Sequence, residues 1–200
     1  MERPPMYHDG SRALQDRFDS RRLADRLEQL TVHDAFSEHD KAFVESADLF
    51  FLATADADGW PDVSHKGGLP GFVQVLDEKT LAFPSYDGNG QFRSLGNLLV
   101  NPRVGLLFID FERPKRLRVQ GVAHIRDEPD LVARWEGAEL IVTVTAERIF
   151  PNCPRYIHPR TLIEHSPFAP RADYVPPIPE WKHMDAFRDF LPGAPGGSSA

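Results

Sequence analysis

From Asp87 to Ser94 the chain reads Asp-Gly-Asn-Gly-Gln-Phe-Arg-Ser, small flexible residues that run into the start of a helix. The first turn of a helix leaves backbone N–H groups without partners and carries the positive end of the helix dipole, so such a start favours a phosphate. Arg93 and Ser94 add a cation and a hydroxyl donor at that point. The stretch is not a nucleotide-triphosphate loop, because no Gly-Lys-Ser/Thr follows the glycines.

Two other segments carry groups that suit an anionic, planar ligand. Ser64-His65-Lys66-Gly67-Gly68 ends a strand. Lys66 could stabilise negative charge on a ring, and the glycines let backbone approach a flat ligand closely. In Arg116-Leu117-Arg118-Val119-Gln120, polar and apolar residues alternate. Side chains of a strand change face at every residue. Leu117 and Val119 are therefore expected in the core, with Arg116, Arg118 and Gln120 on the opposite face. Two arginines and an amide there can bind a phosphate or a carbonyl edge.

Charge supports one anionic ligand rather than a polyanion. The whole chain has a formal net charge of -7. Between Phe83 and Gln120, however, six cations (Arg93, Arg103, Arg113, Lys115, Arg116, Arg118) face three anions (Asp87, Asp110, Glu112), a local excess of +3. An acidic protein lacks the basic surface that nucleic acids or anionic membranes require. Other chemistries find no pattern. Ser64 and His65 are sequence neighbours, which does not make a triad. The eight histidines are scattered, without HExxH or a cysteine cluster, so no metal site is expected. Asp56-x-Asp58-Gly59 has Gly67 where a calcium loop needs its twelfth-position Glu, so it reads as a turn. Cys153 is the single cysteine and is taken as incidental; without a possible intrachain disulfide, a reducing cytoplasmic setting is the default.

The elements that must position these groups are mostly short strands. The spacing of Leu14, Phe18, Leu23, Leu27 and Leu30 predicts a helix over 11–30, after an irregular start over 1–10. Ser37 caps a second helix, with Asp40 in its first turn and Phe43 and Val44 facing inward. Strands are expected over 49–54, 60–66, 72–76, 80–83, 103–111, 116–125 and 140–150, and short helices over 91–100 and 127–137. The segment 103–111 is almost wholly apolar, as a strand buried on both faces would be. A small barrel has one interior, so the second face calls for another chain. Most of the eighteen prolines lie near the ends, and 192–200 reads as a disordered tail. The expected organisation is an N-terminal helical extension over 1–47, a barrel domain over 48–150 and a C-terminal arm over 151–200.

Together these segments resemble the pyridoxamine 5'-phosphate oxidase-like flavoprotein family, from about Leu49 to Ile125. The best-matching stretch is Asn-Pro-Arg-Val-Gly-Leu-Leu-Phe at 101–108, preceded by FPSYDGNGQFRSLGN and followed by RLRVQGVAHI. The resemblance implies a mainly β fold with covering helices, a six-stranded split β-barrel that dimerises and holds FMN in clefts at the dimer interface. By position it implies a cofactor-binding set of Ser64, His65, Lys66, Gly67, Asn89, Arg93, Ser94, Asn97, Arg116 and Arg118, with Arg116 and Arg118 reaching flavin across the interface. No catalytic residue is assigned.

The chain departs from true pyridoxamine-phosphate oxidases in two places. It has Gly71-Phe72-Val73-Gln74-Val75-Leu76 where they have an Arg-rich strand, and it lacks their C-terminal substrate motif. The function expected from the resemblance is an FMN-dependent oxidoreductase passing electrons or hydride between a small molecule and flavin in a homodimer. The alternatives are a non-catalytic flavin-binding or stress-related protein, and haem or deazaflavin on the same barrel, with His65, His124 or His158 as an axial ligand.

Overall fold

The computed structural model describes residues 5–192. The tail expected over 192–200 and the start of the irregular N-terminus thus lie largely outside the described residues. The first described helices are α1 (Asp9–Arg17) and α2 (Arg21–Thr31). The single helix expected over 11–30 is therefore two. Asp19 takes φ 48, in the left-handed region, and a right-handed helix cannot continue through it. Arg12 reaches Asp25 across the break at 2.6 Å, and Arg21 reaches Asp16 at 2.5 Å. The apolar residues that predicted the helix stay exposed, with Phe18 at 70% and Leu30 at 63%. Next comes α3 (Glu38–Glu45), capped as expected: Ser37 Oγ accepts from Asp40 N–H, while the Asp40 carboxylate accepts from Ser37 N–H. Val44 of α3 is fully buried.

Seven strands follow: β1 (Leu49–Ala55), β2 (Pro61–Gly67), β3 (Gln74–Val75), β4 (Thr80–Tyr86), β5 (Arg103–Asp110), β6 (Lys115–Arg126) and β7 (Ala138–Pro151). They form one antiparallel sheet in the order β2-β1-β5-β6-β7-β4-β3. Each of the seven strands expected from the residues is present. The six-stranded count implied by resemblance is one short, because Gln74–Val75 pairs with β4 as a strand of its own (Gln74 opposite Ala82). That strand is brief because Gly71 before it adopts φ 91 and turns the chain. Among the described residues β2 and β3 end the sheet order without pairing with each other, so the sheet is open and not a closed barrel. No described helix is long and apolar enough to cross a membrane.

The core lies on one face of this sheet. Phe50 sits at its centre, with ring centroids 4.9 Å from Phe83 and 5.1 Å from Phe108. Leu52, Leu106, Val119, Val144 and Ile149 surround them. β5 departs from expectation. Val104, Leu106 and Phe108 are buried, but the alternating Gly105, Leu107 and Ile109 are half-buried, so one face is sealed and the other partly open within a single chain. β6 bulges between Gln120 and Gly121, where a side-chain carbon on Gly121 would collide with the carbonyl of Thr145. Between β4 and β5 lies α4 (Arg93–Val100), and between β6 and β7 lies α5 (Pro129–Val132). α5 is shorter than the expected 127–137. The chain leaves it so that Trp135 can bury its ring and donate from Nε1 to the carbonyl of Phe72 at 2.8 Å. After β7 an irregular arm leads to a short 3₁₀ turn (Glu180–His183) and α6 (Asp185–Arg188).

Candidate functional site

A cleft of about 660 Å³ opens where β2, the end of β4 and the start of α4 meet. Its size falls within the roughly 300–1,000 Å³ of small-molecule and cofactor sites. β2 contributes Asp62, Ser64 and Lys66, one strand face at period two. β4 ends in Ser85 and Tyr86, and the loop from Asp87 to Phe92 carries the chain to α4. The loop is held by Asn89, whose Oδ1 accepts from Gln91 N–H at 3.1 Å. Gly90 adopts φ 72 and Phe92 φ 48, so the loop turns sharply into the helix. No side chain caps α4, which leaves the N–H groups of its first turn for another acceptor. Ser94 is buried there and makes no side-chain hydrogen bond among the described residues.

Charge in the cleft is balanced and partly paired. Arg93 Nε stands 3.7 Å from Asp62 Oδ1, a loose ion pair on a side chain still 68% exposed. Lys182 Nζ binds Asp87 Oδ2 at 2.5 Å. Lys66 makes no hydrogen bond or ion pair among the described residues. Burial lowers its pKa below the ordinary lysine value, against the attraction of Asp62. Burial also raises the Tyr86 phenol, which therefore stays protonated at neutral pH.

The structure brings Ser64, Lys66, Asn89, Arg93 and Ser94 together around this cleft. It does not bring the other five there within one chain. His65 points to the opposite face of β2, edge-on to Phe51 at 6.2 Å. The position where Gly67 would carry a side-chain carbon is 2.8 Å from the His65 ring, on that same side. Asn97 donates from Nδ2 to Thr54 Oγ1 at 2.9 Å and ties α4 to β1. Arg116 lines a second cavity, and Arg118 is exposed on the outer face of β6. Leu117 and Val119 are buried between them, as the alternation requires. The six cations of the central segment thus do not converge: Arg93 alone lines this cleft. None of His65, His124 and His158 lines it either.

Several lining residues were not foreseen. Asp62 follows from the same period-two face as Ser64 and Lys66. The C-terminal arm carried no such signal. Its Trp181, Lys182 and Phe187 return to the cleft, and the Lys182–Asp87 pair joins residues 95 apart in sequence.

No curated protein matches the chain. A HupZ protein of Group A Streptococcus is 25% identical over 58% of this chain and 93% of its own, with a TM-score of 0.47. A candidate pyridoxamine 5'-phosphate oxidase of Lactobacillus delbrueckii is 23% identical over 60% of this chain and 99% of its own, with a TM-score of 0.48. HutZ, the haem storage protein of Vibrio cholerae, is 22% identical over 56% of this chain and 91% of its own, with a TM-score of 0.41. The sequence profile of the family described as pyridoxamine 5'-phosphate oxidase matches residues 36–168, about two thirds of the chain. That span holds α3, every strand of the sheet and the β2, β4 and α4 walls of the cleft, and stops before Trp181, Lys182 and Phe187, the arm residues that line it. On that match the chain belongs to the pyridoxamine 5'-phosphate oxidase family.

Proposed function

We propose that the protein is an FMN-dependent oxidoreductase whose cofactor phosphate sits at the start of α4. The observation that carries this reading is the convergence of an uncapped helix start, the unpartnered Ser94 hydroxyl and the loosely held Arg93 at one end of a cofactor-sized cleft. Arg93 gives up a weak contact to Asp62 and gains a charge-assisted bond to phosphate. Lys66, half-buried without a direct partner, supplies positive charge further along β2, where it would stabilise a ring edge that becomes anionic on reduction. Tyr86 remains a hydrogen-bond donor, and Trp181 from the arm covers the cleft and excludes water. A bound flavin would supply the two-electron chemistry, exchanged with a small redox substrate.

A second copy of the chain completes this reading. The half-open face of β5 and the exposed Val63, Leu99 and Val100 are apolar surface that a homodimer would cover. Arg118, exposed on the outer face of β6, would be the residue that reaches the cleft of the second copy.

Titration with FMN and with riboflavin tests the phosphate seat. FMN should bind at least about tenfold more tightly, the value of one charge-assisted bond. Equal affinity would remove the phosphate from α4. A deazaflavin would be recognised by competition with FMN. Turnover with NADH or NADPH separates an enzyme from a non-catalytic flavin binder.

A further inference from the structure

The C-terminal arm reaches the cleft by a long irregular route. Its first part is fixed beside the β5–β6 turn. Arg160 N–H donates to the Phe111 carbonyl at 2.9 Å, and Leu162 N–H donates to Glu112 Oε1 at 3.3 Å. Further on, Pro170 passes the turn at Gly137, where a side-chain carbon would stand 2.9 Å from its Cβ. Then comes Pro176-Pro177-Ile178-Pro179. Closely spaced prolines hold a chain extended and stiff. Val175 and Ile178 in this stretch are exposed, so it packs on little, and contacts at its far end must set where it leads.

At that far end Trp181, Lys182 and Phe187 line the cleft. Lys182 Nζ donates to Asp87 Oδ2 at 2.5 Å, and the rings of Trp181 and Phe187 meet edge to face with centroids 5.9 Å apart. The Lys182 side chain is 20% exposed, that of Asp87 64%. A lysine charge withdrawn from water is costly unless a partner meets it, and Asp87 meets this one. Asp87 directly follows β4 and opens the loop into α4, so the ion pair joins the arm to the loop of the phosphate seat. Phe187 stays 46% exposed, an aromatic surface at the cleft that the chain itself does not bury.

We infer that Trp181 is a ring-recognising residue of the cleft and that Lys182 and Asp87 are its positioning residues. Their ion pair latches the arm so that a planar aromatic ring bound in the cleft stacks against Trp181. The family profile ends at residue 168, so this determinant belongs to the chain's own arm. The identity of the ring rests on the flavin reading, whereas the latch does not.

The test uses the full chain throughout. Trypsin cleavage after Lys182 reads the latch, and cleavage after Arg171, in the same arm before the proline stretch, is the internal standard. Relative to that standard, Asp87→Asn should speed cleavage after Lys182 about two- to fivefold, the weight of one surface ion pair. Added salt should raise the same ratio in the wild type and leave it unchanged in the variant. A ratio identical in both proteins would overturn the latch. Titrations with riboflavin and FMN read the ring. Trp181→Ala should weaken both by the same factor, about two- to tenfold, and Trp181→Phe should restore most of the loss. Asp87→Asn, with Trp181 intact, should weaken both in the same sense. Unchanged affinities in Trp181→Ala, or a loss confined to FMN, would overturn the stacking. Wild-type protein that binds neither flavin would sink the flavin reading and the stacking with it, while the protease ratio still decides the latch.

Discussion

Arg93 is held weakly, and that weakness is what suits it to a ligand. An exposed ion pair at 3.7 Å contributes about 0–1 kcal/mol, whereas a hydrogen bond between charged groups is worth roughly 1.5–3 kcal/mol. Arg93→Ala should therefore leave the melting temperature of the apoprotein almost unchanged and weaken FMN by about ten- to a hundredfold. Retained wild-type affinity in a flavin titration would move the phosphate elsewhere. Lys66 gives a pH signature. Its folded-state pKa is lowered by burial, so the folded protein releases this proton before the unfolded chain does. Between that lowered pKa and the unfolded value of about 10.4, apoprotein stability from this group rises with pH. Affinity for an anionic ligand runs the other way and falls as Lys66 loses its charge. FMN affinity should thus decline on the alkaline side in the wild type and stay flatter in Lys66→Arg, which remains charged. Identical profiles would detach Lys66 from the cofactor.

At the scale of elements, β6 makes the sharpest contrast. Leu117 is 5% exposed, while Arg118 beside it faces solvent. Leu117→Ala should cost about 2–5 kcal/mol, and Arg118→Ala within about 0.5 kcal/mol, in denaturant unfolding of the apoprotein. Similar losses for both would mean that the two faces of β6 are not as described. This alternation was legible in the sequence because period two is a local property. The same rule applied to β2 separates Ser64 and Lys66 from His65, which lies on the other face. The Ser37 cap was legible for the same local reason. The break between α1 and α2 was not: Phe18-Asp19-Ser20 contains neither Gly nor Pro, and the left-handed turn at Asp19 is set by how Arg12 and Arg21 pair across it. Nor could local pattern show Trp181 and Lys182 returning to the cleft, since their partners lie far away in the chain. Arg116 has the residue type and strand face expected of a flavin ligand, yet which cavity it lines depends on the α2–α3 connection packed beside it.

For the whole molecule, the site lies between β2, one edge of the sheet, and β4, next to the other edge, and residues of the C-terminal arm line it from outside. The molecule's outer surface is the part a single chain leaves unresolved in energetic terms. Leu107 and Ile109 are half-buried, and Leu14, Leu23, Leu27 and Leu30 of α1 and α2 are exposed. A dimer would cover such surface and, with Arg118, complete the cleft. Both claims meet in sedimentation velocity of the purified, FMN-loaded protein, followed in the visible flavin absorption. The account predicts flavin absorbance that sediments with a species of about twice the 22.6 kDa chain mass. Flavin that sediments free of the protein, or an intense haem band in place of the flavin spectrum, would contradict it, and flavin carried by a stable monomer would remove the second copy from the site.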